Sequence, residues 1–199
     1  VLQRGPGGIL VLPNRGAAAE RTQIEDENVD RLMTQLRGLG RYVESVVIDL
    51  GDAWKLQPTR LASEVDALLL VTTPDAVSIR DSYAALKWLL PKRATPWVGL
   101  VVTKANDWSE AEDAAHRLSA CSRKFLGRDV AFAGASLRDA EAFADLDRRV
   151  PLVLERPDSL AAQGLQQLAG VLTSLAEGQP LLPAFDVEPH GGPPAPAAA

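Results

Sequence analysis

Apolar and polar positions follow two rhythms along this chain. Short apolar runs predict strands: "GGILVLP" (Gly7–Pro13), "SVVIDL" (Ser45–Leu50), "ALLLVTT" (Ala67–Thr73), "VGLVVTK" (Val98–Lys104) and "VAFAGAS" (Val130–Ser136). Between them, apolar residues recur at helical spacing. Asp26–Leu36 turns Val29, Leu32, Met33 and Leu36 to one side, and Gln57–Glu64 reads as a short helix. Asp75 can cap a helix with the stripe Ile79, Tyr83, Leu86 and Leu90, stopped by Pro91. The next helix opens on a capping box, Ser109 to Glu112, and is expected to bury Ala111, Ala115, Leu118, Cys121 and Phe125. A short helix follows over Arg138–Leu146, then an extended segment at Pro151–Glu155. Ser159 starts a last helix with Leu165, Leu168, Leu172 and Leu175 at helical spacing.

Several of these strands are apolar throughout, the pattern of strands covered by helices on both faces. The β-α-β order predicts an α/β fold with a mostly parallel sheet and right-handed crossovers. Ligands of such sheets bind beyond the carboxyl ends of the strands. Chemistry is therefore expected at Asp49–Asp52, Thr72–Asp75, Thr103–Asp107 and Ser136–Asp139. One α/β domain is expected over residues 1–178. Residues 179–199 are rich in proline and alanine and are expected to be a disordered tail, with Leu181–Phe185 able to dock on the domain.

Composition narrows the function classes. A formal net charge of −5 argues against a broad nucleic-acid face. The lone Cys121 excludes an internal disulfide framework, and with two histidines, His116 and His190, a Cys- or His-rich metal site is not expected. No apolar run approaches the roughly 20 residues that span a bilayer, and the first residues lack the signature of a secretory signal. A cytoplasmic protein without a direct membrane anchor is expected. The sequence opens without Met, which reads as processing or as a piece of a longer chain.

Asp49 stands at the end of Val46-Val47-Ile48. A carboxylate there can hold Mg²⁺, directly or through water, beside phosphate oxygens; it can equally close a turn. Thr72–Asp81 offers hydroxyls and a capping carboxylate, a combination that is also routine at a helix start. "VVTKAND" (Val101–Asp107) approaches a guanine-reading motif, but Asn106 stands where the specificity Asp would be. No glycine is followed by lysine, and the glycines of Arg4–Gly8 precede a strand rather than follow one, so a phosphate-binding P-loop is absent.

Taken together, these segments resemble MinD/ParA-type ATPases, most closely FlhG and related MinD-like proteins, from about Gly7 to Leu175. "GGILVLP" resembles the strand preceding the family's Asp strand, and "VVIDLG" its Walker B/switch II segment. "LLLVTTPDAVSIRDSYAALKWL" is the most specific match. "GLVVTKAND" resembles the strand that ends under the adenine, while "RLSACSRKFLGRDVAFAGAS" and "PLVLERPDSLAAQGLQQLA" resemble the closing parts of FlhG-like proteins. The resemblance implies a P-loop NTPase-like fold and, in an intact member, ATP and Mg²⁺. It places Asp49 on the metal, Gly51 and Asp52 in the nucleotide-sensing loop, Thr103 and Lys104 under the adenine, and Leu137 and Asp139 near a second adenine-side loop. Asp75, Ser78 and Asp81 would face a dimer mate or a protein partner.

The departures carry information too. Thr103 replaces the family's Asn, Ala53 a switch-loop Gly, and Ser136-Leu137 an Ile-Pro pair. The family's deviant Walker A loop, Lys-Gly-Gly-x-Gly-Lys-Thr, lies upstream of the matching segments. The resemblance thus implies a chain equivalent to the C-terminal part of a nucleotide switch, used in flagellar number, division-site placement or cargo partitioning. Alone, it is expected neither to hydrolyse ATP nor to bind it tightly. A non-enzymatic scaffold or protein-interaction domain is the alternative; convergence onto a generic regulatory domain is a third reading. Uncovered strand edges are expected, filled by self-association, by a rearranged sheet or by the tail.

Overall fold

The computed structural model describes residues 2–13, 26–51, 59–90, 96–144 and 150–178. Its centre is a parallel sheet of β3 (Ala67–Thr72), β4 (Trp97–Ala105) and β5 (Ala131–Leu137), in the order β3-β4-β5. Ahead of it stand β1 (Gln3–Arg4), β2 (Leu10–Val11), α1 (Asp26–Gly38) and α2 (Thr59–Ala62). The crossovers carry α3 (Ala76–Leu89) and α4 (Trp108–Leu126). After β5 come α5 (Ala140–Phe143), α6 (Leu152–Glu155) and α7 (Leu160–Ala176).

The parallel α/β arrangement expected from the sequence is present. Alternate residues of each strand, Leu68 and Leu70, Val98, Leu100 and Val102, and Phe132, meet Leu86 and Leu89 of α3 and Ala111, Ala115 and Leu118 of α4 in one core. Small residues on α4 let it lie close to the sheet. Arg60 of α2 holds Asp30 of α1 at 2.8 Å and Glu64 at 3.0 Å, a surface network around the smaller cluster of Val29, Met33 and Leu61.

Two expected strands come out differently. Of Gly7–Pro13 only Leu10–Val11 is a strand, and it pairs antiparallel with Gln3–Arg4 instead of entering the parallel sheet. Pro6 and the left-handed Gly7 (φ 69°) turn the chain back, and Pro13 has no N–H for a ladder. Ser45–Leu50 is not a strand. Ile48 and Leu50 lie on the Val29/Met33/Leu61 cluster, while Val47, just before Ile48, is 88% exposed. The period-two pattern is real, but it docks one face on helices and finds no backbone partner among the described residues.

Helix registers also differ in detail. The N-cap of α4 is Asp107, which accepts from Glu110 N, so the helix starts before the expected Ser109–Glu112 box. Ala111, Ala114, Ala115, Leu118 and Ser122 face inward, and Cys121 and Phe125 are exposed. At about 100° per residue, the eleven steps from Ala111 to Ser122 nearly close three turns, whereas Cys121 falls well off that face. Pro151–Glu155 forms a helical turn, not an extended segment: Leu154 and Glu155 both donate to the Pro151 carbonyl. On α7 the buried residues are Ala161, Ala162 and Gly164, and the leucine stripe stays partly exposed, with Leu165 on the open side. The expected helix over Arg138–Leu146 is described only as α5; residues 145–149, Gln57, Pro58, Pro91 and the tail lie outside the described residues.

The tightest joint is α7 on β5. A Cβ added at Gly164 would stand 2.0 Å from the Ala135 carbonyl oxygen. Gly164→Ala should therefore destabilise by about 1–3 kcal/mol through overpacking. Gly170→Ala, in the same helix with nothing within 4 Å of the added methyl, should stabilise by about 0.5–1 kcal/mol. Urea unfolding of the two variants measures both signs.

Candidate functional site

The carboxyl ends of β3, β4 and β5 converge, and their residues are cross-linked. Thr103 Oγ1 donates to the Thr72 carbonyl at 3.1 Å, joining β4 to β3. On the other side Thr103 pairs with Ser136, and Ala105 with Leu137. The register slips between Thr103 and Ala105, and Lys104 absorbs the slip with φ 61°. Among the described residues it is the one non-glycine with positive φ. A left-handed backbone strains a residue with a Cβ, and strain of this kind collects at functional sites. Arg138 N donates to the Ala105 carbonyl at 2.8 Å, and its Nη2 lies 3.5 Å from the Lys104 carbonyl. Ser136 Oγ, buried, donates to the Ala161 carbonyl at 3.2 Å and so anchors the start of α7.

Each strand end runs into a helix capped by an aspartate. Asp75 accepts from Val77 N and Ser78 N, Asp107 from Glu110 N, and Asp139 from Ala142 N. Asn106 donates to Glu110 from its backbone at 2.6 Å and from its side chain at 2.9 Å. Around Asp75 a hydroxyl knot forms: Thr73 donates to the carboxylate and shares a 2.6 Å hydrogen bond with Ser78 Oγ. The Thr73 hydroxyl first, then the Ser78 N–H, hold Asp75 well below the usual carboxylate range.

The expected site residues divide. Thr103, Lys104, Leu137 and Asp139 come together at the β4 and β5 ends. Asp75 and Ser78 are committed to the α3 start, and Asp81 pairs on the surface with Arg80 at 3.0 Å. Asp49 is exposed and its Oδ1 accepts from Gly51 N at 2.8 Å, with Gly51 at φ 54°. That is the turn-closing geometry; no hydrogen bond among the described residues ties Asp49 to the strand ends. Asp52 and Ala53 lie outside the described residues. A shallow cleft of about 470 Å³ opens between Pro74, Glu110, Asp113, His116 and Arg117, with Arg117 Nη2 donating to the Pro74 carbonyl at 3.0 Å. None of the residues expected to hold nucleotide lines it. Arg138 and Arg117 were not singled out from the sequence; the available signal was their type, a cation just past a strand end and one on the facing helix.

Comparison with solved structures decides the fold. A ParA family ATPase from Chlorobium tepidum TLS superposes with a TM-score of 0.59 at 16% identity, over 86% of this chain and 66% of that one. The MinD cell division protein of Aquifex aeolicus gives 0.56 at 20% identity, over 91% and 70%. The fold is that of the MinD/ParA-type P-loop ATPases. In sequence, an uncharacterized ATP-binding protein of Methanocaldococcus jannaschii is 25% identical over 171 residues, 86% of this chain. The chain spans 61% of that relative's length. No protein-family model matches.

Against this MinD/ParA fold, the described residues do not fit a triphosphate. Anions bind at helix starts through free N–H groups. The starts of α3, α4 and α5 already hold carboxylates, which take two N–H groups at α3 and one each at α4 and α5 and repel a phosphate. No group of three or more metal-binding side chains occurs among the described residues. At the ends of β4 and β5, Thr103, Lys104, Leu137 and Arg138 stand together, tied by the Thr103 and Arg138 hydrogen bonds.

Two tests follow from this geometry. The depressed Asp75 contributes stability that is present above its unfolded pKa of about 3.9 and is lost as pH falls toward its lower folded value. Asp75→Asn keeps the cap but removes the titration, so its melting temperature should fall less steeply than the parent's below about pH 4. Lys104→Gly should raise stability by up to about 1 kcal/mol by relieving the left-handed strain, and Lys104→Val should lower it, both read by denaturant unfolding.

Proposed function

We propose that this chain is part of a MinD/ParA/FlhG-like nucleotide-switch protein that acts in spatial regulation, of flagellar number, division site or cargo. In this reading it supplies the base-side platform and a partner-facing surface on α3, at Asp75, Ser78 and Asp81. A dimer mate or protein partner docks there, and ATP with Mg²⁺ belongs to the complete unit. The shared MinD/ParA fold over 86–91% of the chain supports the reading. Among the described residues no helix is long and apolar enough to cross a membrane.

The three carboxylate-capped helix starts favour a second reading, a scaffold that has kept the sheet and partner face without nucleotide turnover. Both readings give the same expectation for the chain alone: no ATP hydrolysis and no tight ATP binding. Calorimetric titration with ATP–Mg²⁺ should show no saturable heat at micromolar concentrations. Micromolar affinity would require a phosphate cradle elsewhere and would overturn these residue roles. Weak binding that prefers ATP over CTP, and that Lys104→Ala or Thr103→Ala removes, would favour the switch over the scaffold.

A further inference from the structure

Between the C-terminal halves of α3 and α4 the helix layer opens into an apolar groove with cationic rims. Glu110, Arg117, Cys121 and Phe125 fall within an arc of about 80° on α4. Arg117 donates to the Pro74 carbonyl ahead of α3, so that side of α4 faces α3. Further along, the same side is open: Cys121 is exposed, and Phe125 is 65% exposed. Opposite, α3 presents Tyr83 and Leu90, both partly buried against the core, with Lys87 exposed at their outer side. Lys124 lies 5.2 Å over the Phe125 ring. Neither lysine forms an ion pair among the described residues. The charge around them has one sign. α3 carries no acid after Asp81, and no acid stands between Asp113 and Asp129, which pairs with Arg123.

We propose that this groove is the docking site of the chain's own segment Leu181–Glu188, with Leu182 and Phe185 against Phe125, and Asp186 and Glu188 beside Lys87 and Lys124. Three observations choose this occupant. The first is charge: residues 179–199 hold two acids, Asp186 and Glu188, and no Lys or Arg, the complement of the groove's rims. The second is apolar content: Leu181, Leu182, Phe185 and Val187 are the large apolar residues of that stretch, and they stand directly beside the two acids. The third is reach. α7 starts at the carboxyl end of β5, where Ser136 Oγ holds the Ala161 carbonyl, and packs along that strand. Its 17 residues span about 25 Å. It therefore ends at the opposite end of the sheet, where the crossover helices α3 and α4 also end. Leu181 stands three residues past Gly178 and Glu188 ten, a reach of roughly 10–33 Å. A lipid surface or a separate acidic protein suits the same chemistry, but a tethered segment meets the groove at an effective concentration on the order of millimolar. The docked segment makes the groove a guarded surface, open to another acidic, apolar segment only by displacement. The inference uses no nucleotide and stands apart from the switch reading.

The reactivity of the Cys121 thiol in the full chain tests it, because that thiol lies in the groove and the sequence has no other cysteine. Dithiodipyridine, an uncharged disulfide, exchanges with the thiol and releases thiopyridone, which is followed by absorbance. Phe185→Ser and, separately, Asp186→Asn with Glu188→Gln should each speed the reaction on the order of tenfold. Neither changes a residue of the described core, and circular dichroism should show the parent's fold. Lys87→Glu with Lys124→Glu should also speed the reaction, although added negative charge by itself slows a thiol by raising its pKa. Combining that pair with Asp186→Lys and Glu188→Lys should restore the parent's slow rate. All rates should be independent of protein concentration. Three results overturn the inference: tail variants that react at the parent's rate, protection that grows with protein concentration and so comes from a second copy, or protection that appears only when anionic vesicles are added.

Discussion

β4 is the constraint on which the described fold rests. It is hydrogen-bonded on both sides, to β3 from Ala67 through Thr72 and to β5 from Ala131 through Leu137, and its Leu100 and Val102 are almost wholly buried. A strand held on both sides cannot slide without exchanging its two faces, because side chains alternate with period two. Its register therefore fixes where Thr103, Lys104 and Ala105 emerge. The slip at Lys104 is the local cost of ending β4 beside two strands that stop at different heights. It also exposes the Lys104 carbonyl to Arg138 and sets the Thr103 hydroxyl on β3.

The electrostatics of the strand ends separates the fold from the chemistry expected of it. The likeness to MinD and ParA is one of overall shape, and shape alone does not carry a reaction. Carboxylates at three helix starts stabilise those helices through the same N–H groups and dipole ends that would otherwise attract phosphate. A helix start cannot serve both purposes at once.

Where sequence patterning is strong and doubly constrained, it was legible. The strands at Ala67, Val98 and Val130, the Asp75 and Ser159 caps and the stripe of α3 were readable because hydrophobic period, capping chemistry and element length agreed. Ser45–Leu50 was not, because a strand needs a partner backbone as well as a pattern, and the sequence does not say which neighbour is present. Cys121 was misplaced because the inward face of α4 is completed by the small residues Ala114 and Ser122, and the polar Ser122 holds a position that an apolar pattern assigns to its neighbour Cys121. At the strand ends the sequence showed which residues would emerge, but not the bonds they make. Asp49 shows the difference: its place after an apolar run left metal binding and turn closure both open, and the hydrogen bond it makes is a turn with Gly51.

The outward position of Cys121 has a practical consequence. The sequence contains one cysteine, and its sulfur lies on the solvent side of a long, well-packed helix. A maleimide fluorophore or spin label would attach at a single known point without any engineered residue. Such a reporter would ride on α4, whose first turns border the Pro74–Arg117 cleft.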